Sequence, residues 1–176
     1  MTADALVQDD CFHPEKFAQV LHYIISRTDT TQYDNVGKKV LYKLLYFNDF
    51  NYYERTETKM TGETYLKWEH GPAPKDFTAA IRALKHSGSI EEKHIIYHGY
   101  KQTRYRSLKP AVPTLLSAVE LQHIDDTLGR YATMNGSQIE AMSHKDLPWI
   151  AAESSQILDY ELVFYRSAEM SVREYV

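Results

Sequence analysis

At the centre of the sequence stands the run Val36-Gly-Lys-Lys-Val-Leu-Tyr-Lys-Leu-Leu-Tyr-Phe-Asn-Asp-Phe-Asn-Tyr-Tyr-Glu-Arg55. Two neighbouring stripes, largely apolar, repeat in it at helical spacing: Val36, Val40, Leu44 and Phe47, and beside them Leu41, Leu45, Asn48 and Tyr52. Apolar residues on more than one side of a helix predict that it is buried between partners. We therefore expect a central helix over residues 36–55 that the other elements cover.

The residues that follow predict a change of direction. Thr61-Gly62 is typical of a turn, and residues 63–68 predict a short strand. Gly71-Pro72-Ala73-Pro74 predicts a corner, because proline fixes φ and removes a backbone donor. A helix over residues 75–86 comes next, with Gly88 placed to end it.

The remaining patterns place helices at both ends of the chain. An apolar period predicts a helix from Pro14 to about residue 27, followed by a polar connector over residues 28–35. Residues 90–98 and 102–108 predict a β-hairpin. Ser117 and Glu120 have the spacing of a capping box and open a helix that ends near residue 131. Ser137, Asp146 and Asp159 are expected to cap helices over residues 137–144, 146–153 and 160–166.

These elements predict an α+β fold that is mostly helical. We expect a bundle of six to seven helices with a small antiparallel sheet. The order helix, strand, helix and hairpin is that of a winged-helix unit, so we expect a winged-helix-like core. One departure is that Gly71–Pro74 stands where the second helix of a helix-turn-helix would fall.

Length and composition indicate a single intracellular domain. The chain has 176 residues, of which 43% are hydrophobic and 25% charged, as in ordinary globular proteins. We expect a flexible N-terminal tail over residues 1–13, a C-terminal tail over residues 167–176 and one domain over residues 14–166, composed of helices and a hairpin at 14–109 and C-terminal helices at 114–166. Cys11 is the only cysteine, which fits a reducing cytoplasm. Neither a signal peptide nor an apolar run long enough for a membrane span is expected.

Four motifs occur in order along the chain. They are Lys43-Leu-Leu-Tyr-Phe-x-Asp49, Thr61-Gly-x-x-Tyr65, Gly71-Pro72 and Ser143-His-x-x-x-x-Pro-Trp149. Together they resemble the signature of the Panacea domain, the SocA-like antitoxin domain family, and the similarity extends from residue 15 to residue 166. The resemblance implies a bacterial or phage antitoxin that neutralises a protein toxin by direct contact in a toxin–antitoxin system. It also implies a possible protease partner, since one member of the family hands its toxin to a protease.

No motif for catalysis or metal binding is present. The sequence lacks His-Glu-x-x-His, Cys-x-x-Cys, Gly-x-Ser-x-Gly and a phosphate-binding glycine loop. His94 and His98 fall in a predicted strand, where residues four apart lie about 13 Å from each other, too far to share an ion. Asp49 and Glu54 could form paired carboxylates, but a hydrogen bond from a neighbouring group to Asp49 is the simpler interpretation. We therefore expect no enzyme activity, no metal and no cofactor.

Candidate partner-binding residues come from the motifs and from an acidic C-terminal third. Tyr46, Asp49, Tyr65, Trp68, His144 and Trp149 belong to or adjoin the motifs. Trp149 and His144 either pack the C-terminal helices onto the core or form a partner-binding rim, since tryptophan is a favoured interface anchor. Residues 110–176 carry a net charge of −6, so an acidic face could cover a basic toxin. Its candidate residues are Glu120, Asp125, Asp126 and Glu140.

A basic hairpin supports other functions. Residues 82–109 carry a net charge of +5, in a chain whose overall charge is −4. Lys93, Lys101, Arg104 and Arg106 alternate with tyrosines, a pattern that suits a nucleic-acid backbone. The hairpin could instead be solvated, or bind a protein. A winged-helix-like DNA-binding regulator and an adaptor that delivers a client to a protease, docking through the C-terminal tail, are therefore the alternatives to the antitoxin.

Overall fold

The computed structural model describes residues 11–29, 33 and 35–174. Its helices are α1 (Pro14–Thr28), α2 (Lys38–Thr56), α3 (Phe77–His86), α4 (Ala118–Tyr131), α5 (Gly136–His144), α6 (Leu147–Ala151) and a 3-10 helix (Tyr160–Tyr165). Its strands are β1 (Tyr65–Trp68), β2 (Gly71–Pro74), β3 (Ile90–Tyr97) and β4 (Tyr100–Ser107). The predicted α+β, mostly helical fold is confirmed. The antiparallel strands form two separate two-stranded sheets, β1–β2 and β3–β4, where one sheet was expected.

Some predicted segments fall outside this description. Residues 1–10 of the predicted N-terminal tail lie outside the described ranges, as do residues 30–32 and 34 of the predicted connector and residues 175–176 of the predicted C-terminal tail. Within the described part, Phe12 packs against Phe17 edge to face. None of the helices in these ranges combines the length and the apolar composition that a membrane span requires.

Helix α2 lies at the centre of the core, as its sequence predicts. It contacts β2, β4, α4, α5 and the 3-10 helix. The side chains of Tyr46, Phe47 and Phe50 are fully buried. Phe47 stacks on Tyr131 of α4 and Phe50 stacks on Tyr160 of the 3-10 helix, with ring centroids 4.4 and 4.0 Å apart. Aromatic contacts in several directions explain why no single face of α2 is polar.

Gly71–Pro74 forms strand β2, so the corner predicted there is wrong. β2 pairs with β1 in the register Tyr65↔Pro74 and Trp68↔Gly71. Proline is tolerated because β2 is an edge strand, whose outer side forms no ladder hydrogen bonds. Gly71 has φ of 111°, and a Cβ there would lie 2.5 Å from Lys43 Cε and 2.7 Å from Ser143 Oγ. This position therefore requires glycine.

The predicted second hairpin, β3–β4, is confirmed. Its turn begins one residue earlier than expected. The chain reverses at His98-Gly99, and both residues have positive φ, 46° and 83°. A two-residue turn of this kind matches the twist of paired strands. β2 occupies the place where a helix-turn-helix would need a further helix, and β1 pairs with β2 instead of with this hairpin.

Residues 167–174 form no helix or strand, yet they pack against α2. Met170 and Val172 are buried. The backbone N–H of Val172 donates to Glu54 Oε1 at 3.1 Å, and Ser171 Oγ donates to Glu54 Oε2. The segment proposed from sequence as a docking strip for a protease thus covers the end of α2.

Side-chain caps fix the starts of the C-terminal helices. The capping box Ser117–Glu120 is confirmed at α4. Asp146 caps α6, which ends at Ala151, and Asp159 caps a 3-10 helix where an α-helix was expected. Helix α5 is capped by Asn135 instead of Ser137, because Asn135 forms its own capping box with Gln138.

The cap of α5 gives a direct test. We expect Asn135→Ala to lower the free energy of unfolding by about 1 kcal/mol, because the Gln138 N–H loses its acceptor. Ser137→Ala, two residues along the same exposed turn, should change it by less than about 0.5 kcal/mol. Urea unfolding of both variants measures the difference. Equal losses in the two variants would show that Asn135 is not the cap.

Candidate functional site

Three residues singled out by the sequence, Trp68, His144 and Trp149, lie together. The indole Nε1 of Trp149 donates to the carbonyl oxygen of Trp68 at 3.3 Å. The imidazole of His144 stacks on the Trp149 ring, with centroids 4.1 Å apart and an interplanar angle of 17°. Lys67 Nζ lies over the same ring, 4.1 Å from its centroid. We call these four residues, Lys67, Trp68, His144 and Trp149, the tryptophan rim.

The rim presents apolar surface to solvent. Trp149 is partly buried and held by its neighbours, whereas the side chain of Trp68 is 53% exposed. Ile150 and Ile157, which are 52% and 64% exposed, lie on segments that touch β1. Exposed tryptophan beside exposed aliphatic side chains is typical of protein-binding surfaces.

The position of Trp149 depends on the cap of α6. Asp146 Oδ1 accepts a hydrogen bond from the Leu147 N–H at 3.1 Å, and Pro148 stands in the first turn, where its missing donor is not needed. The backbone N–H of Trp149 donates to the Asp146 carbonyl at 3.1 Å. The sequence Asp-Leu-Pro-Trp thus turns the tryptophan toward β1.

A buried ion cluster anchors Asp146. Arg166 Nη2 lies 2.6 Å from Asp146 Oδ2, and Arg166 Nη1 lies 2.9 Å from Glu54 Oε1, with all three side chains no more than 1% exposed. Tyr46 also donates to Asp146 Oδ2 at 2.7 Å. Burial alone would raise the pKa of Glu54, but hydrogen bonds from Ser171, Val172 and Arg166 outweigh it and lower that pKa. We call Glu54, Asp146 and Arg166 the Arg166 cluster. It ties α2, α6 and the segment after the 3-10 helix together.

Asp49 belongs to a second buried polar group. Its Oδ2 accepts hydrogen bonds from Tyr65 OH at 2.6 Å and Thr61 Oγ1 at 2.9 Å. Its Oδ1 has no hydrogen-bond partner among the described residues. Burial raises the pKa of Asp49 to about 6, although both hydrogen bonds oppose this shift. Asp49 therefore joins α2 to the turn before β1.

Tyr46, Asp49 and Tyr65 are not surface residues. Each is at most 2% exposed, so none offers a surface to a partner. Their place in the motifs is explained by the core, because each donates or accepts a buried hydrogen bond. We therefore no longer count these three residues as candidate contacts for a protein partner.

The four acidic candidates do not act as one free face. Glu120 is buried against Lys16 at 2.6 Å, and Asp125 accepts a hydrogen bond from Tyr23. Glu140 Oε1 lies 3.0 Å from His70 Nδ1. Asp126 is exposed and accepts from Gln122 within α4. Three of these carboxylates are thus engaged by other elements of the chain.

The basic residues of the hairpin divide between its two faces. Lys93 pairs across the strands with Arg104, and Arg106 stands two residues from Arg104, so these three side chains share one face. Lys101 stands three residues from Arg104 and points to the opposite face. Lys93 lies 3.3 Å from Glu91, and Arg104 donates to Gln102 at 2.6 Å and lies over Tyr97. Lys93, Lys101 and Arg106 are exposed, and Arg104 is half-buried. Three of the four basic side chains thus share one face, and two of these three, Lys93 and Arg104, contact neighbouring residues.

The structure also shows site residues that the sequence did not single out. Lys67 supports Trp149, and its Nζ donates to the Ala152 carbonyl at 2.9 Å. No local sequence pattern points to Arg166, because its partners stand 20 and 112 residues away in the sequence. In the described ranges, no group of three or more His, Cys, Asp or Glu side chains is placed to hold a metal ion.

Comparison with protein families assigns this chain to one of them. The family model described as antitoxin SocA-like, Panacea domain, matches residues 41–150, which include most of α2, both hairpins and the tryptophan rim. Comparisons with curated proteins and with solved structures found no match. The chain therefore belongs to the SocA-like antitoxin family and carries its Panacea domain.

Proposed function

We propose that this chain is an antitoxin-type binding module that neutralises a protein toxin by direct contact through the tryptophan rim. Membership of the family supports an antitoxin-type role in general and a non-catalytic one. The observation that carries the proposal is the exposed Trp68 beside a Trp149 held in place by His144 and Lys67. A preorganised aromatic anchor reduces the entropy lost on binding. The module acts in the cytoplasm of a bacterium or of a phage host.

A protein partner fits this surface better than DNA does. Three of the four basic side chains of the hairpin share one face, but two of these three, Lys93 and Arg104, already contact Glu91 and Gln102. A protein that follows a phosphate backbone needs several cations on one track. Strand β2 directly follows β1, at the place where a helix-turn-helix would need a helix.

Growth rescue tests the proposal. The chain is co-expressed with the small protein encoded next to it, whose expression alone should arrest growth. We expect the wild-type chain to restore growth and Trp68→Ala to lose most of that rescue, because a central tryptophan anchor contributes 2 kcal/mol or more to many interfaces, by the order of magnitude seen in alanine scans. Co-purification of the two proteins measures the contact itself.

Tyr100→Ala is the matched control. Tyr100 is 79% exposed at the tip of the β3–β4 hairpin, so its loss removes an equally exposed aromatic ring outside the rim. Normal rescue by Tyr100→Ala together with failure by Trp68→Ala supports the rim. Failure of the wild-type chain to rescue, or full rescue by Trp68→Ala, would contradict the proposal.

A further inference from the structure

A groove of about 570 Å³ adjoins the tryptophan rim. It runs between the first half of α2 and the β1–β2 hairpin. Its lining consists of Lys38, Lys39, Tyr42, Lys43, Lys67, Trp68, Glu69, His70, Gly71, Ala73, Ser154 and Ser155. Trp68 and Lys67 thus belong both to the rim and to the groove.

The lining is strongly basic. Four lysines, Lys38, Lys39, Lys43 and Lys67, face one lining carboxylate among the described residues, that of Glu69. Lys38 lies over the rings of Tyr42 and Phe77, so its ammonium is held above an aromatic surface. Neither Lys38 nor Lys39 has a carboxylate within 4.0 Å in the described part of the chain. The groove therefore concentrates positive charge although the chain as a whole is acidic.

Lys43 forms the floor of the groove. The residue is 4% exposed, and the hydrogen bond that its Nζ donates, to the Pro72 carbonyl, is long at 3.5 Å. Gly71 lies directly against it and leaves space that any side chain would fill. Burial lowers the pKa of Lys43 to about 8, although the charge of Glu140 opposes this shift, so the amine is still charged at pH 7. Glu140 acts on this ammonium from beyond 4.0 Å, and a buried ammonium with one long hydrogen bond gains most from an anion in direct contact.

We propose that this groove binds an acidic segment of the protein partner, with a carboxylate of that segment directed at Lys43 and Lys39 and an apolar side chain against Tyr42 and Trp68. The inference rests on the proposed function, since it names the chemistry of the toxin segment that the rim would hold. It reverses the expectation of an acidic antitoxin face, because most of the acidic candidates are already engaged within the chain.

The lining favours a peptide over a nucleic acid. Phosphate recognition commonly uses the bidentate fork of arginine, and the described lining contains lysine without arginine. The Tyr42 ring already meets Phe77 edge to face at 4.8 Å, which leaves Trp68 as the aromatic side chain open for stacking. Single-strand binding usually needs several such rings along a track.

A fluorescent hexaglutamate peptide is the probe, with binding followed by anisotropy at physiological salt. We expect the double variant Lys38→Ala/Lys39→Ala to raise the peptide Kd at least tenfold. Lys39 is exposed and Lys38 is half-buried over the Tyr42 and Phe77 rings, so circular dichroism checks that the variant folds. Lys93→Ala/Lys145→Ala is the control, because it removes the same charge from exposed sites outside the groove.

Several results would overturn the inference. One is an equal loss in the control variant, which would show non-specific charge attraction. Another is tighter binding of a dT6 oligonucleotide with the same dependence on Lys38 and Lys39, which would make the groove a nucleic-acid site. Absence of peptide binding to the wild-type chain would also refute it.

Growth rescue separates this inference from the proposed function. If the wild-type chain rescues and Trp68→Ala does not, while Lys38→Ala/Lys39→Ala rescues fully, the rim stands and the acidic-segment inference fails. If the wild-type chain does not rescue, the proposed function fails whatever the peptide does. Loss of rescue in both the Trp68 and the double-lysine variants supports both.

Discussion

Replacing Arg166 with alanine is expected to lower the free energy of unfolding by about 4 kcal/mol, the range found when one partner of a buried ion pair is removed. The guanidinium bridges Asp146 and Glu54, whose side chains are no more than 1% exposed. Without it two carboxylates remain in the core with no counterion. Urea unfolding followed by circular dichroism measures the loss.

Two further variants sharpen this result. Arg166→Lys keeps the charge but cannot span both carboxylates, so an intermediate loss is expected. Arg130→Ala removes an exposed arginine near the end of α4 and should change stability by less than about 0.5 kcal/mol. A loss below about 1 kcal/mol in Arg166→Ala would mean that the cluster is not paired as described.

The free energy of unfolding of the Asp49→Asn variant, relative to that of the wild type, is expected to rise by about 2 kcal/mol between pH 4.5 and pH 7.5. The pKa of Asp49 is raised from 3.8 to about 6 by burial. The folded state therefore holds a proton that the unfolded state releases, so wild-type stability falls as pH rises from about 4 to about 6 and then levels off. The amide of asparagine does not titrate and removes this loss.

The comparison is made as a difference between two proteins at two pH values. His123 and Glu63, whose pKa values are also shifted by burial, are present in both proteins and cancel. Asp126→Asn, which removes an exposed carboxylate, shows the effect of a simple change in net charge. A pH-independent difference between Asp49→Asn and wild type would show that Asp49 is ionised without cost in the folded state.

The helices and the hairpin were predictable because their signals are local. The apolar stripes of α2, the capping box at Ser117 and the β-branched run before Gly99 each depend on residues within one element. Strand β2 was missed because prolines argue against strands unless the strand lies at an edge, and only the tertiary fold decides which strands do. The cap of α5 was predicted at Ser137, because serine also suits an N-cap, although Gln138 completes the capping box of Asn135.

The candidate site was predictable only in part. Trp68, His144 and Trp149 were singled out from motif and residue type, and the structure brings them together. Tyr46, Asp49 and Tyr65 share the same motifs yet lie in the core, because a motif does not distinguish a buried hydrogen bond from a surface contact. The groove could not be foreseen. Its lysines come from two distant segments of chain, and their shared surface exists only once β1 and β2 pack beside α2.

The Arg166 cluster also sets an order of events during synthesis. The ribosome makes Glu54 and Asp146 before Arg166, and Arg166, the counterion of Glu54, is added 112 residues after Glu54. A nascent chain that stops short of Arg166 would have to leave two carboxylates in water, so α2 and α6 cannot lock together in it. Truncated products should consequently be open to proteases, and the completed chain should close its core in a late, cooperative step.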